Sequence, residues 1–124
     1  MRFDKAVPIL YSTDVKASVE YFINCLKFDH HWMWREDPCS DEPPSFAGIH
    51  RDDVEIFFCL GNQGSPGTWL SLMVENVDEY YESIMDSGAK IISPPDTKSW
   101  NMREMLVECP DGHMIRIGHN TQCD

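Results

Sequence analysis

The chain has 124 residues, 42% of them hydrophobic, and a formal net charge of −11 at pH 7. That length fits a single domain, residues 1–124, with a core of its own, and the longest apolar run, Ile56-Phe57-Phe58-Cys59-Leu60, is far too short to cross a bilayer. So acidic a balance argues against nucleic acid, whose phosphates are held by Lys and Arg, and favours a cationic ligand. No apolar leader opens the sequence, so a cytoplasmic location is expected. The five cysteines (Cys25, Cys39, Cys59, Cys109, Cys123) have no CxxC spacing and are odd in number. Such a set suits a reducing compartment, not a disulfide frame or a zinc site.

In chain order, residues 6–12 predict a strand with Pro8 near its start, the mark of an edge or an exchanged arm. Thr13 and Asp14 offer an N-cap. Val15, Val19, Phe22, Ile23 and Leu26 then recur at helical spacing, predicting an amphipathic helix over 15–26. A strand over 28–34 leads into a polar, proline-bearing loop from Glu36 to Ser45. Residues 46–50 and 54–58 predict a hairpin across Arg51-Asp52-Asp53, and the glycines of 61–67 mark a linker.

The second half repeats this order. Residues 69–75 predict a strand, and Asn76 with Glu79 a capping-box-like helix start. Val77, Tyr80, Tyr81 and Ile84 mark a helical face ending at Gly88, followed by a short strand over 90–93 and a loop over 94–99. Residues 103–118 predict a hairpin turning at Pro110-Asp111-Gly112, where proline presets φ and glycine accepts the positive φ of the reversal. Superposing Asp14-Val15 on Asn76-Val77 aligns both halves. The fold class expected is α+β: two βαβββ modules, 6–60 and 68–119, in a mixed sheet curled around a cleft.

These segments carry a resemblance. Ala6 to Leu10, Asp14-Val15 with Val19 to Phe22, Phe46 to Val54 and Trp100 to Gly118 together resemble the vicinal oxygen chelate (glyoxalase/bleomycin resistance/dioxygenase) superfamily, and within it the bleomycin resistance proteins. Metal-dependent members of that superfamily place one His, Gln or Glu on each of four inward-facing strands. The positions that resemble them here are Val7, Phe57, Trp69 and Arg116. None is a good donor to a divalent ion. The five histidines (His30, His31, His50, His113, His119) fall elsewhere, although Glu55 becomes a candidate if the register slips by two. The expectation is no metal, no cofactor and no catalytic residue. Glu104 and Glu108 remain open as an acid and base or as a cleft anion and a solvated face. Cys109 has no evident base beside it.

Bleomycin resistance proteins sequester a drug in clefts between two arm-exchanged chains. The resemblance therefore implies a homodimer whose arm departs at Pro8 and a small-molecule partner, with neither nucleic acid nor membrane. Trp100 resembles the tryptophan on which the flat ligand stacks, Phe46 the aromatic opposite, and Trp32 a further cleft aromatic. Phe57, Trp69, Arg103, Glu104 and Arg116 complete the expected ligand-binding set, with Trp69 equally open to a core role. Lys27 and Asn101 stand where the family has glycine, and the 36–45 loop alters the approach to Phe46. Two functions follow: a metal-free trap for a planar aromatic, cationic ligand, or a metal-dependent glyoxalase-type lyase or isomerase, or dioxygenase.

Overall fold

Two side chains start the two helices as the sequence predicts. Asp14 accepts the Ala17 N–H at 3.1 Å and Asn76 accepts the Glu79 N–H at 3.2 Å, each satisfying a donor the first helical turn leaves unpaired. The protein, here a computed structural model, is described over residues 1–122, so Cys123 lies outside the described residues. The first half runs β1 (Ile9–Ser12), α1 (Val15–Asn24), β2 (His30–Trp34), β3 (Phe46–Arg51) and β4 (Val54–Leu60). The second runs β5 (Trp69–Met73), α2 (Val77–Ile84), β6 (Lys90–Thr97), β7 (Met102–Glu108) and β8 (Met114–Asn120). The architecture is α+β, with strand orders β1-β4-β3-β2 and β5-β8-β7-β6 in two open sheets. In each, the first strand pairs parallel with the last and the remaining neighbours are antiparallel. No described helix is long and apolar enough to cross a membrane.

Each βαβββ module folds its helix onto one face of its sheet. Leu10, Ala47, Ile49, Ile56 and Phe58 turn to the helix side of the first sheet, and Met105, Val107, Ile115 and Ile117 to that of the second. Together with Val15, Val19, Phe22, Val77 and Ile84 they form one continuous buried cluster across both modules. Polar bonds stitch the same seam. The Tyr21 hydroxyl donates to the Glu108 carbonyl at 2.8 Å and accepts the Lys90 N–H at 3.0 Å, while Tyr80 donates to the Leu26 carbonyl at 2.8 Å. Burial pushes the Tyr21 phenol up to about 12. His113, 2% exposed, accepts the Thr68 N–H at Nδ1 and donates from Nε2 to the Tyr11 carbonyl. Asp111, at φ 65°, accepts from the backbone N–H and hydroxyl of Thr13.

Two boundaries in the second module differ from expectation. Helix α2 ends at Ile84, not near Gly88, because Ser87 bends back: its N–H and hydroxyl both donate to the Ile84 carbonyl. Strand β6 continues through Pro94-Pro95 to Thr97, where a loop was expected. It is an edge strand with two register shifts against β7, so the missing proline donors disturb no ladder partner. Lys27 keeps the left-handed geometry of a helix-ending glycine, at φ 62°, and Asn101 does the same at φ 64°.

Arg103 lies on the helix side of β7. Its Nε and Nη2 reach both carboxylate oxygens of Asp78 at 2.8 and 2.9 Å, and that guanidinium holds the Asp78 carboxyl below its ordinary range.

Two outcomes follow from this frame. Lys27→Gly removes a left-handed Cβ at an exposed site and should raise stability by about 1 kcal/mol in chemical denaturation. Because the Asp78 carboxyl is depressed in the folded state, its contribution is present above the unfolded value of about 4 and lost as pH falls through the folded one. Arg103→Gln should therefore lower stability at neutral pH, and its acid-unfolding curve should converge on that of the parent below pH of about 4.

Candidate functional site

Strand periodicity sends the alternate residues to the faces that the helices leave bare. On the first sheet, cross-strand register places Ile9, Phe57, Gly48 and Trp32 in one row. The neighbouring row holds Tyr11, Cys59, Phe46 and Trp34, and the row on the other side His50 and His30 beside Glu55. Three predicted site residues meet here. The Trp32 and Phe46 rings stack with centroids 5.9 Å apart, and Phe57 meets each of them at 5.5 Å, edge-on to Trp32 and tilted against Phe46. His30 and His50 stack at 4.3 Å.

Gly48 makes this arrangement possible. A Cβ there would lie 2.5 Å from the indole of Trp32, so the ring rests flat on bare backbone. Trp34, 52% exposed, extends the same surface. The sequence reading missed both, though the alternation His30, Trp32, Trp34 was a legible signal that three rings share one face.

On the second sheet, Trp69, Ser71 and Met73 stand beside Met114, Arg116 and Gly118, followed by Glu108, Leu106 and Glu104. Trp69 is 59% exposed, which settles its side of the sheet in favour of the surface. Glu104 has a side chain only 7% exposed; Arg116 Nε approaches its Oε2 at 3.9 Å, beyond hydrogen-bond range. Glu108 pairs instead with Lys90 at 2.9 Å. Trp100 sits at the tip of the β6–β7 hairpin, 56% exposed, on the turn that Asn101 closes. Arg103 faces away from this surface, toward α2. The predicted residues thus form two patches, one per sheet, with Trp100 at the rim of the second.

Pro8 immediately precedes β1, and its carbonyl accepts the Phe57 N–H of its own chain at 2.9 Å. A cavity of about 530 Å³ lies between the modules beside Arg51, Glu75 and Tyr80, and one of about 630 Å³ lies at the edge of the first sheet's bare face, beneath the N-terminal arm beside Lys5, His50 and Glu55.

The donor set does not fit a divalent ion at the positions resembling the metal-dependent members. Phe57 contributes a ring face, Trp69 an indole and Arg116 a fixed cation. Among the described residues, no three His, Cys, Asp or Glu side chains are grouped to hold an ion. Nor does Cys109 offer a nucleophile: burial pushes its thiol up to about 12.

Solved structures share this architecture at low identity. TioX from Micromonospora sp. ML1 is 19% identical, with 95% of this chain and 99% of that one covered at a TM-score of 0.78. A bleomycin-binding protein from Streptomyces verticillus, complexed with copper(II)-bleomycin, is 22% identical, with 94% and 96% covered and a TM-score of 0.73. A glyoxalase-related enzyme from Clostridium phytofermentans is 16% identical, with 97% of each chain covered and a TM-score of 0.78. Comparison with curated protein sequences gives no match. The sequence pattern of one family matches residues 2–117, nearly the whole chain, and by that match the chain belongs to the Glyoxalase/Bleomycin resistance protein/Dioxygenase superfamily.

Proposed function

We propose that this protein is a metal-free trap that sequesters a planar aromatic, cationic small molecule in a cleft between two copies of the chain. The observation that carries the reading is the ring cluster of Trp32, Phe46 and Phe57 on a sheet face that no helix covers. Large rings left at a surface are the means by which a site takes a flat ligand: stacking adds about 0.5–1.5 kcal/mol to the area buried. The positions where a chelating member of the superfamily needs ligands carry Phe57, Trp69 and Arg116, so the same cleft is equipped to grip and not to polarise an oxygen. The charge of −11 draws a cation toward it.

The second copy answers to the two bare faces. Ile9, Trp32, Trp34, Trp69 and Met73 are each at least 40% exposed, an apolar surface of the kind that marks an interface. Strand β1 holds to β4 as a four-residue edge, and Phe3 ahead of it is 86% exposed. In the dimer the arm preceding Pro8 crosses to the other copy. The bleomycin-binding protein of like fold binds bleomycin, which makes that drug a first probe.

Titrating bleomycin and a panel of planar cations against tryptophan fluorescence should give saturable quenching at one ligand per chain, unchanged by EDTA. Trp100→Ala should weaken binding by about tenfold or more. Quenching that disappears in EDTA, or a ligand-bound chain that sediments as a monomer, would overturn the metal-free or the interface part respectively. Gly48→Ala should displace the Trp32 ring and weaken binding several-fold, with the thermal midpoint little changed because the clash falls on a half-exposed side chain.

A further inference from the structure

Glu104 is an anomaly on the bare face of the second sheet. Its side chain is only 7% exposed, yet neither carboxylate oxygen accepts a hydrogen bond from any described residue; the sole cation nearby is Arg116, whose Nε stands off at 3.9 Å. Each oxygen keeps some contact with solvent, so its acceptor positions are open to an incoming donor. The surroundings sharpen the point. Across the strand pair stands Asp96, a second carboxylate, whose own cation is Lys98 at 3.3 Å. On the other side lies Gly118, where a Cβ would fall 2.5 Å from the Arg103 carbonyl oxygen and 2.7 Å from the Glu104 Cβ, so the absence of a side chain is what lets β7 and β8 approach so closely here. Arg103, the neighbour in sequence, is committed to Asp78 on the opposite face. The strand thus presents an acid with open acceptor positions and a loosely placed guanidinium above it.

We infer that Glu104 is the subsite for a planar two-donor cation, an amidinium or guanidinium carried by the ligand. Both oxygens are unpartnered, so they match two parallel N–H donors better than one ammonium point charge. Arg116 is a competitor that partly screens the carboxylate until such a group displaces it. The subsite lies four residues beyond Trp100 along one hairpin, about 13 Å of extended chain, so it can take a cation independently of a ring on the indole. This deepens the trap reading and rests on it.

Benzamidine and benzamide test the inference, being flat, alike in size and different in charge. Wild-type protein should bind benzamidine more tightly than benzamide by about tenfold or more, read by NMR chemical-shift titration. Glu104→Gln should abolish that preference. Arg116→Gln should strengthen benzamidine binding. Glu108→Gln, which removes an equal charge from the acid paired with Lys90, should leave the preference intact. Equal binding of the two probes by the wild type, or a preference that survives Glu104→Gln, overturns the inference. The trap reading then still stands if Trp100→Ala abolishes uptake of planar ligands. Failure of both probes to bind, together with failure of the planar panel, overturns both.

Discussion

Everything distinctive about this surface depends on the polar seam between the modules. His113 is its tightest point: one ring nitrogen takes a backbone donor from the second module and the other gives its proton to a backbone carbonyl of the first. That leaves a buried imidazole with both positions satisfied, and it ties β1 to the segment that leads into β5. Tyr21, Tyr80 and Asp111 add bonds that cross the same boundary, and the hydrophobic cluster runs through it. Buried polar groups of this kind hold their value only when fully paired, so the seam tolerates one relative placement of the modules. With both helices spent on the inner side, no described helix covers the outer face of either sheet.

That uncovered area explains the placement of residues that would otherwise look like folding errors. Rings at 43% to 59% exposure are poor core and form an exposed apolar surface. Gly48 strengthens the contrast, because a small residue in mid-strand weakens a sheet unless something must lie against the backbone there, and Trp32 does. Chemistry is placed elsewhere or withheld. Cys109 is buried and protonated, Glu108 is paired, and the inward positions of the metal-dependent relatives hold side chains without lone pairs to give.

Much of this was legible in the sequence. Helix starts at Asp14 and Asn76, the succession of elements along the chain and the internal duplication all follow from local rules: a capping side chain, a period of two or 3.6, a glycine-rich join. The rings at positions 32, 46 and 57 could be named because a resemblance supplied their roles, and register brought them together. What the sequence hid was direction. Arg103 and Glu104 are adjacent, and nothing local says which faces α2; a shift of one residue exchanges them. Boundaries set by long-range partners were hidden too. Ser87 ends α2 early by folding onto Ile84, and Pro94-Pro95 stay in a strand because that strand is an edge.

Gly48 and Gly118 have a consequence for how such a molecule can change over evolutionary time. Each removes a side chain from the outer face and leaves the inner face untouched, so a neighbour on the adjacent strand can come close (the Trp32 ring in one case, the Arg103–Glu104 backbone in the other). Exchanging the neighbour rewrites what the surface recognises without touching the packing that holds the chain together. A scaffold with its packing on one side of each sheet can retain its shape while the other side changes, as chains of like architecture at 16% to 22% identity already do in sequence.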